Sequence, residues 1–152
     1  MINLNEYYEV TEVSNLLAEC MWPDNERILQ ELNMYKVDDA RKLYGRLKNN
    51  ELIGLIGLIH LSTKEVELKH IAIRSDYRRQ GIGREMINEY IKKNEINKMI
   101  AETHKDAVNF YKNIGFEIMS LGEKYPGVER FQCTLPMNKI MEEIFQEVWD
   151  FT

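Results

Sequence analysis

The stretch from Val66 to Tyr90 narrows what this 152-residue chain can fold into more than any other. A strand-like segment leads through Arg78-Arg79-Gln80-Gly81-Ile82-Gly83-Arg84 into a helix whose apolar face is Ile82, Met86, Ile87, Tyr90 and Ile91. Glycines at this spacing let the backbone turn tightly, so several amide N–H groups can converge on one point. The helix that follows adds its unbonded first amides and its positive dipole end. Arg74, Arg78, Arg79 and Arg84 surround the turn, with Asp76 the only acid from 74 to 84. The combination reads as a cradle for an anion of pyrophosphate size. The plainer reading is a strand-to-helix connection with glycines for turning and arginines for solubility.

Two common phosphate-binding patterns do not fit. A dinucleotide-binding turn needs a third glycine where Met86 stands, and its glycines follow the strand directly, whereas Arg74 to Gln80 intervene after Ile73. A P-loop needs Gly-Lys-Ser/Thr at its end, which is missing. What remains is a strand, a loop, then R-x-x-G-x-G opening an amphipathic helix.

The chain as a whole has the size of one domain and an ordinary globular composition, 44% apolar and 30% charged. Its longest apolar run, Leu52 to Ile59, is too short to span a membrane, and the start lacks the basic region and apolar core of a secretion signal, so a cytoplasmic protein is expected. Cys20 and Cys133 form no Cys-x-x-Cys pair and the histidines at 60, 70 and 104 show no ligand spacing, so structural thiols and no metal are expected. Net charge is −5, with residues 1–40 carrying nine acids against Arg27 and Lys36. That first part would repel a nucleic acid, and the basic cluster at 74–84 suits a compact phosphate compound better.

Periodicity and breaker residues predict a short edge strand over 2–6 and a helix from Val10 to Cys20. A second helix from Glu26 to Tyr35 is capped by Asp24 or Asn25, and a hairpin of Arg41–Lys48 and Glu51–Leu61 turns at Asn49-Asn50. Gly54 and Gly57 thin one face of that hairpin for close approach of a helix. A strand at 65–74, the cradle helix and a strand at 98–103 follow. The chain continues with a helix at 106–114 ended by Gly115 and strands at 116–120 and 129–135. The outcome is an α/β (α+β) domain with a mixed sheet. Met137, Ile140, Met141, Ile144, Phe145, Val148 and Trp149 mark an amphipathic C-terminal helix over 136–152, packed on its own domain, forming a homodimer contact or walling the acceptor cleft.

Glu67-Leu68-Lys69-His70-Ile71-Ala72-Ile73 followed by Arg78-Arg79-Gln80-Gly81-Ile82-Gly83 resembles the signature of the GNAT superfamily, the acyl-CoA-dependent N-acetyltransferases. A second block, Ala107-Val108-Asn109-Phe110-Tyr111-Lys112-Asn113-Ile114-Gly115-Phe116, resembles the family's A-x-x-F-Y-x-x-x-G-F segment, in the family's order. The resemblance covers residues 1–135 and implies a mostly antiparallel mixed sheet flanked by helices, with acetyl-CoA as co-substrate and its pantetheine arm lying like an added strand.

The same resemblance implies the site. Amides from Arg79 to Arg84 would hold the pyrophosphate, with Arg78, Gln80, Gly81, Ile82 and Gly83 in the cradle. Main-chain groups of Ile71, Ala72 and Ile73 would meet the thioester oxygen and the pantetheine, flanked by Ala107 and Phe110. Glu67 would be the general base and Tyr111 the acid that protonates the leaving thiolate, since a phenol of pKa about 10 stays protonated where a thiol of about 8.5 does not. His70 is a second base candidate, on the opposite side of a regular strand from Glu67. His104 stands where the family often has an asparagine contacting pantetheine, which leaves that contact and an acid–base role for His104 open. Glu19, Asp24, Glu26 and Glu31, with Met21, Trp22 and Tyr35, would border a small cationic amine acceptor. The rival readings are a non-catalytic acyl-CoA sensor and a binder of another phosphate compound.

Overall fold

The computed structural model describes residues 1–6 and 10–136. The expected helix beyond Pro136 lies outside the described residues. Contacts group the chain into two compact units, Met1–His60 with Leu68–Glu89, and Leu61–Glu67 with the residues from Tyr90 on.

In the first unit, β1 (Ile2–Asn3) pairs antiparallel with β2 (Arg41–Lys48), and β2 with β3 (Glu51–His60). Asn49 and Asn50 turn that hairpin with φ of 52° and 63°, the left-handed pair that asparagine tolerates and that a two-residue turn requires. Helices α1 (Val10–Leu17) and α2 (Asn25–Val37) bury Val13, Leu16, Leu17, Ile28, Leu32 and Tyr35 in one core with Leu43, Leu52 and Leu55. Asp24 caps α2, its carboxylate accepting from the amides of Glu26 and Arg27, an arrangement worth about 1 kcal/mol. The first helix is shorter than expected because the chain tightens after Leu17, where Glu19 and Cys20 bond three residues back.

Gly54 and Gly57 differ from the expectation. They lie on opposite faces of β3, as their odd spacing requires, and each admits a different helix. A Cβ at Gly57 would stand 2.0 Å from the Tyr35 hydroxyl of α2, while one at Gly54 would meet Met86 Sδ of α3 (Ile82–Lys93) at 3.0 Å. A bulge at Ile53 resets the alternation, so that Leu52 rejoins the face of Leu55.

Strand β4 (Glu65–Ile73) runs through both units. In the second, Glu65–Glu67 pair parallel with Lys98–Ile100 of β5 (Lys98–His104), and β5 pairs antiparallel with β7 (Val128–Leu135). Strand β6 (Glu117–Tyr125) forms a hairpin with β7 and is longer than expected. Helix α4 (Val108–Ile114) packs against both. Met99, Ala101, Ile114, Phe116, Cys133 and Leu135 are buried here. Pairings are thus mostly antiparallel with one parallel pair, and helices flank the strands, as the resemblance implies. Among the described residues no helix is long and apolar enough to cross a membrane.

Candidate functional site

The loop after β4 builds its shape from its own arginines. The Arg74 amide makes the last bond to β3, at Ile53 O, and a single helical turn, Ser75–Tyr77, follows. The Arg74 guanidinium reaches Glu51 at 3.0 Å and Asp76 at 3.2 Å and lies over the Tyr77 ring. Arg78 donates from Nε to Ile73 O at 2.9 Å and from Nη2 to Glu19 at 3.2 Å. Two of the four arginines therefore brace the loop.

What the loop presents is backbone. Arg79 has φ of 63° and Gly81 of 77°, with Gln80 between them outside the positive region. Alternating signs of φ are the backbone pattern that can turn successive N–H groups to one side, as in an anion nest. A left-handed arginine costs roughly 1 kcal/mol, an unusual conformation of the kind that concentrates at binding loops. Helix α3 then begins with Glu85 N–H on Gly81 O at 3.0 Å. The amides of Ile82 and Gly83 precede that bond and have no carbonyl one turn back to receive them. Arg78, Arg79, Gln80 and Gly81 are exposed, and a Cβ at Gly81 would meet nothing within 4 Å. The left-handed arginine had no sequence signal.

Upstream in the same unit, Ala72 and His70 are buried, while Ile71, Ile73 and Lys69 occupy the other face of β4. His70 is locked away from solvent. Its Nδ1 lies 2.6 Å from the Tyr35 hydroxyl and its Nε2 3.9 Å from Glu31, which also receives Arg41 Nη1 at 3.2 Å. Burial pushes its imidazole down to about 4, against the opposing pull of Glu31 and with Lys69 and Arg41 adding to the fall. Of the four acids expected at the acceptor rim, three have partners: Glu19 holds Arg78, Asp24 caps α2 and Glu31 holds Arg41. The Cys20 thiol is pushed up to about 12 by burial, with the Ile71 backbone lowering it in part. Burial raises Cys133 to about 11. Both are protonated at neutral pH, as structural thiols are.

In the second unit Glu67 is half-buried, opposite Ile100 in register, on the face of β5 that also carries Glu102 and His104. Glu102 lies 2.8 Å from Lys124 and 3.5 Å from Arg130, and its carboxyl is held below the usual range chiefly by the Lys124 hydrogen bond. His104 is exposed where β5 ends, and Ala107 is half-buried in the turn that leads into α4. Tyr111 is buried, its ring edge-on to Phe110 (5.1 Å) and to Phe116 (5.3 Å). The helix stop explains the second motif. Gly115 has φ of 109°, and Phe116 N–H reaches back to Tyr111 O at 3.1 Å, which folds Phe116 onto the tyrosine ring. The F-Y-x-x-x-G-F spacing thus encodes a left-handed helix end that fixes the Tyr111 ring from two sides.

Ile71–Ile73 and Arg78–Arg84 therefore share one unit, and Glu67, His104, Ala107, Phe110 and Tyr111 share the other. Among the described residues no three His, Cys, Asp or Glu side chains are grouped to hold a metal ion.

Comparison with known proteins gives the family and the fold. The sequence profile of the acetyltransferase (GNAT) family matches residues 7–116. The chain is 33% identical over 64 residues to an uncharacterized N-acetyltransferase from the lysA 3′ region of Bacillus methanolicus, a match covering 42% of this chain and 53% of that relative. It spans about half the length of that curated relative. Its fold is similar to an aminoglycoside 6′-N-acetyltransferase complexed with coenzyme A (TM-score 0.74, 16% identity, 90% of this chain and 97% of that one). The spermidine N-acetyltransferase from Vibrio cholerae, in complex with CoA and spermine, is also similar (TM-score 0.70, 18% identity, 90% and 94%).

Proposed function

This chain belongs to the acetyltransferase (GNAT) family, and from that membership we propose that it transfers an acetyl group from acetyl-CoA to a primary amine of a small cationic acceptor. The observation that carries the reading is the backbone at Arg79–Gly83. Alternating φ and the first amides of α3 make a concave donor surface, and the absent Cβ at Gly81 leaves it open to a diphosphate. These residues fit the coenzyme A moiety of acetyl-CoA, which would supply an activated acetyl thioester when bound.

The chain's own groups divide the remaining work. Glu67 takes the proton of the acceptor ammonium, directly or through a water, so that the nitrogen lone pair can attack. Main-chain N–H groups at Ile71–Ile73 donate to the oxygen that becomes negative as the carbonyl turns tetrahedral. Tyr111 holds, on its phenol oxygen, the proton that the departing sulfur takes up. Its ring is fixed by Phe110 and Phe116, so the hydroxyl is placed without further ordering. The small cationic acceptor is supported by the −7 balance of residues 1–40 and by relatives that act on aminoglycosides and spermidine. The ion pairs of Glu19 and Glu31 and the capping role of Asp24 weigh against charge alone as its attraction.

Thiol release from acetyl-CoA across a panel of polyamines, aminoglycosides and peptide amines tests the reading. Tyr111→Phe keeps the ring contacts and removes the proton, so kcat is expected to fall by about 100-fold or more while the Kd for CoA stays within about twofold, since the ring contacts persist. Glu67→Gln is expected to lower kcat/KM most at pH values where the acceptor is protonated. Stabilisation by CoA with no thiol release from any amine leaves a binding module, and stabilisation by another nucleotide but not CoA removes the family's cofactor.

A further inference from the structure

The side chain of Arg78 is held at two points that have different fates when an anion arrives. Its Nε donates to Ile73 O at 2.9 Å, a main-chain acceptor at the end of β4, and its Nη2 donates to Glu19 Oε2 at 3.2 Å. The first contact fixes the guanidinium at the mouth of the cradle, one residue before the left-handed Arg79. The second ties the cradle to the segment that joins α1 to α2, 59 residues away in sequence. Both side chains of that pair are well exposed, at 53% and 39%, so the pair is weakly held.

We propose that Glu19 is an intramolecular competitor for Arg78, and that coenzyme binding exchanges the Glu19 carboxylate for a phosphate oxygen on the same guanidinium. This rests on the coenzyme reading above. A diphosphate seated on the Arg79–Gly83 amides brings two negative charges beside a guanidinium that now faces one. Phosphate and guanidinium match in geometry, so Nη2 gains by moving while Nε stays on Ile73 O. Glu19 is the group left behind, and the α1–α2 connection loses its tether to the cradle loop. Because the free protein must give up the Arg78–Glu19 contact, Glu19 weakens coenzyme binding although it lies among residues that shape the site.

The inference has an unusual sign, which makes it testable by CoA titration calorimetry on the full chain. Glu19→Gln is expected to tighten CoA binding by about two- to fivefold, the range that an exposed ion pair supports. Glu26→Gln removes the same charge from the first turn of α2 without touching Arg78, and is expected to change the Kd by less than half as much. Glu19→Asp, which keeps the charge on a shorter arm, is expected to fall between wild type and Glu19→Gln. An unchanged or larger Kd in Glu19→Gln overturns the proposal, as does equal tightening in Glu26→Gln, which would reduce the effect to general charge. Failure of the wild-type protein to bind CoA would instead refute the coenzyme reading, so the two failures are distinguishable.

Discussion

A Cβ built at Gly57 would stand 2.0 Å from the Tyr35 hydroxyl, whereas one built at Gly81 would meet no heavy atom within 4 Å. Both glycines belong to the first unit, and they are glycine for different reasons. At Gly57 the missing side chain is already replaced by Tyr35, whose hydroxyl is bonded to His70. At Gly81 the backbone needs a φ of 77° and the space beside it is left empty. One vacancy is filled by the protein and serves its stability. The other faces outward, where the proposed reading seats the coenzyme diphosphate. Substitutions at the two positions should therefore separate folding from binding.

Gly81→Asp is the strongest test of that separation. Aspartate tolerates the left-handed region better than most residues and has room here, so the fold should survive. Its carboxylate would face the coenzyme phosphates; one such repulsion at 4 Å is worth about 4 kcal/mol at an intermediate dielectric. Calorimetry should show CoA affinity falling by about a thousandfold or more, with little change in Tm. Retained affinity would remove the diphosphate from this bend. Gly57→Ala should do the reverse. The new methyl must expel the Tyr35 hydroxyl, combining overpacking with loss of its buried bond to His70, for about 3–5 kcal/mol in denaturant unfolding. The surviving folded fraction should bind CoA normally. A loss of affinity matching the loss of stability would mean that the two regions are coupled and the contrast between them is false.

The same contrast explains what the sequence could and could not reveal. Asn49-Asn50, the Asp24 cap, the Gly115 helix stop and the apolar face of α3 were readable because each depends on residues within one or two turns of the chain. Strand β6 ends five residues later than the sequence predicts, at Tyr125 instead of Ser120. It is exposed along most of its length and interrupted near Gly122, so it shows no alternation to detect. Placing Gly54 and Gly57 on one face overlooked their odd spacing, and the Ile53 bulge that restores Leu52 to the core has no local signature. The tight turn at Gly81 was legible from glycine spacing. The ion pairs of Glu19 with Arg78 and of Glu31 with Arg41 became visible only in three dimensions.

The buried side of the contrast can be probed without altering Gly57, through pH. His70 titrates near 6.5 when unfolded and is lowered to about 4 in the fold, chiefly by burial. Protonation therefore favours the unfolded chain. The stability that comes from keeping His70 neutral is complete above pH 6.5 and is lost as pH falls from there toward 4. Between pH 7.5 and 5 the loss from this group should be about 2 kcal/mol. Carboxylates also titrate toward the acid end, so the measurement is the difference from His70→Gln, which can still accept from Tyr35 but carries no titrating proton. Denaturant unfolding at the two pH values should show the wild type losing about 2 kcal/mol more than the variant. Equal losses would mean that water reaches the imidazole. The Tyr35–His70 contact beneath α2 would then be as open as the bend at Gly81, and the contrast between filled and empty glycine sites would fail from its buried side.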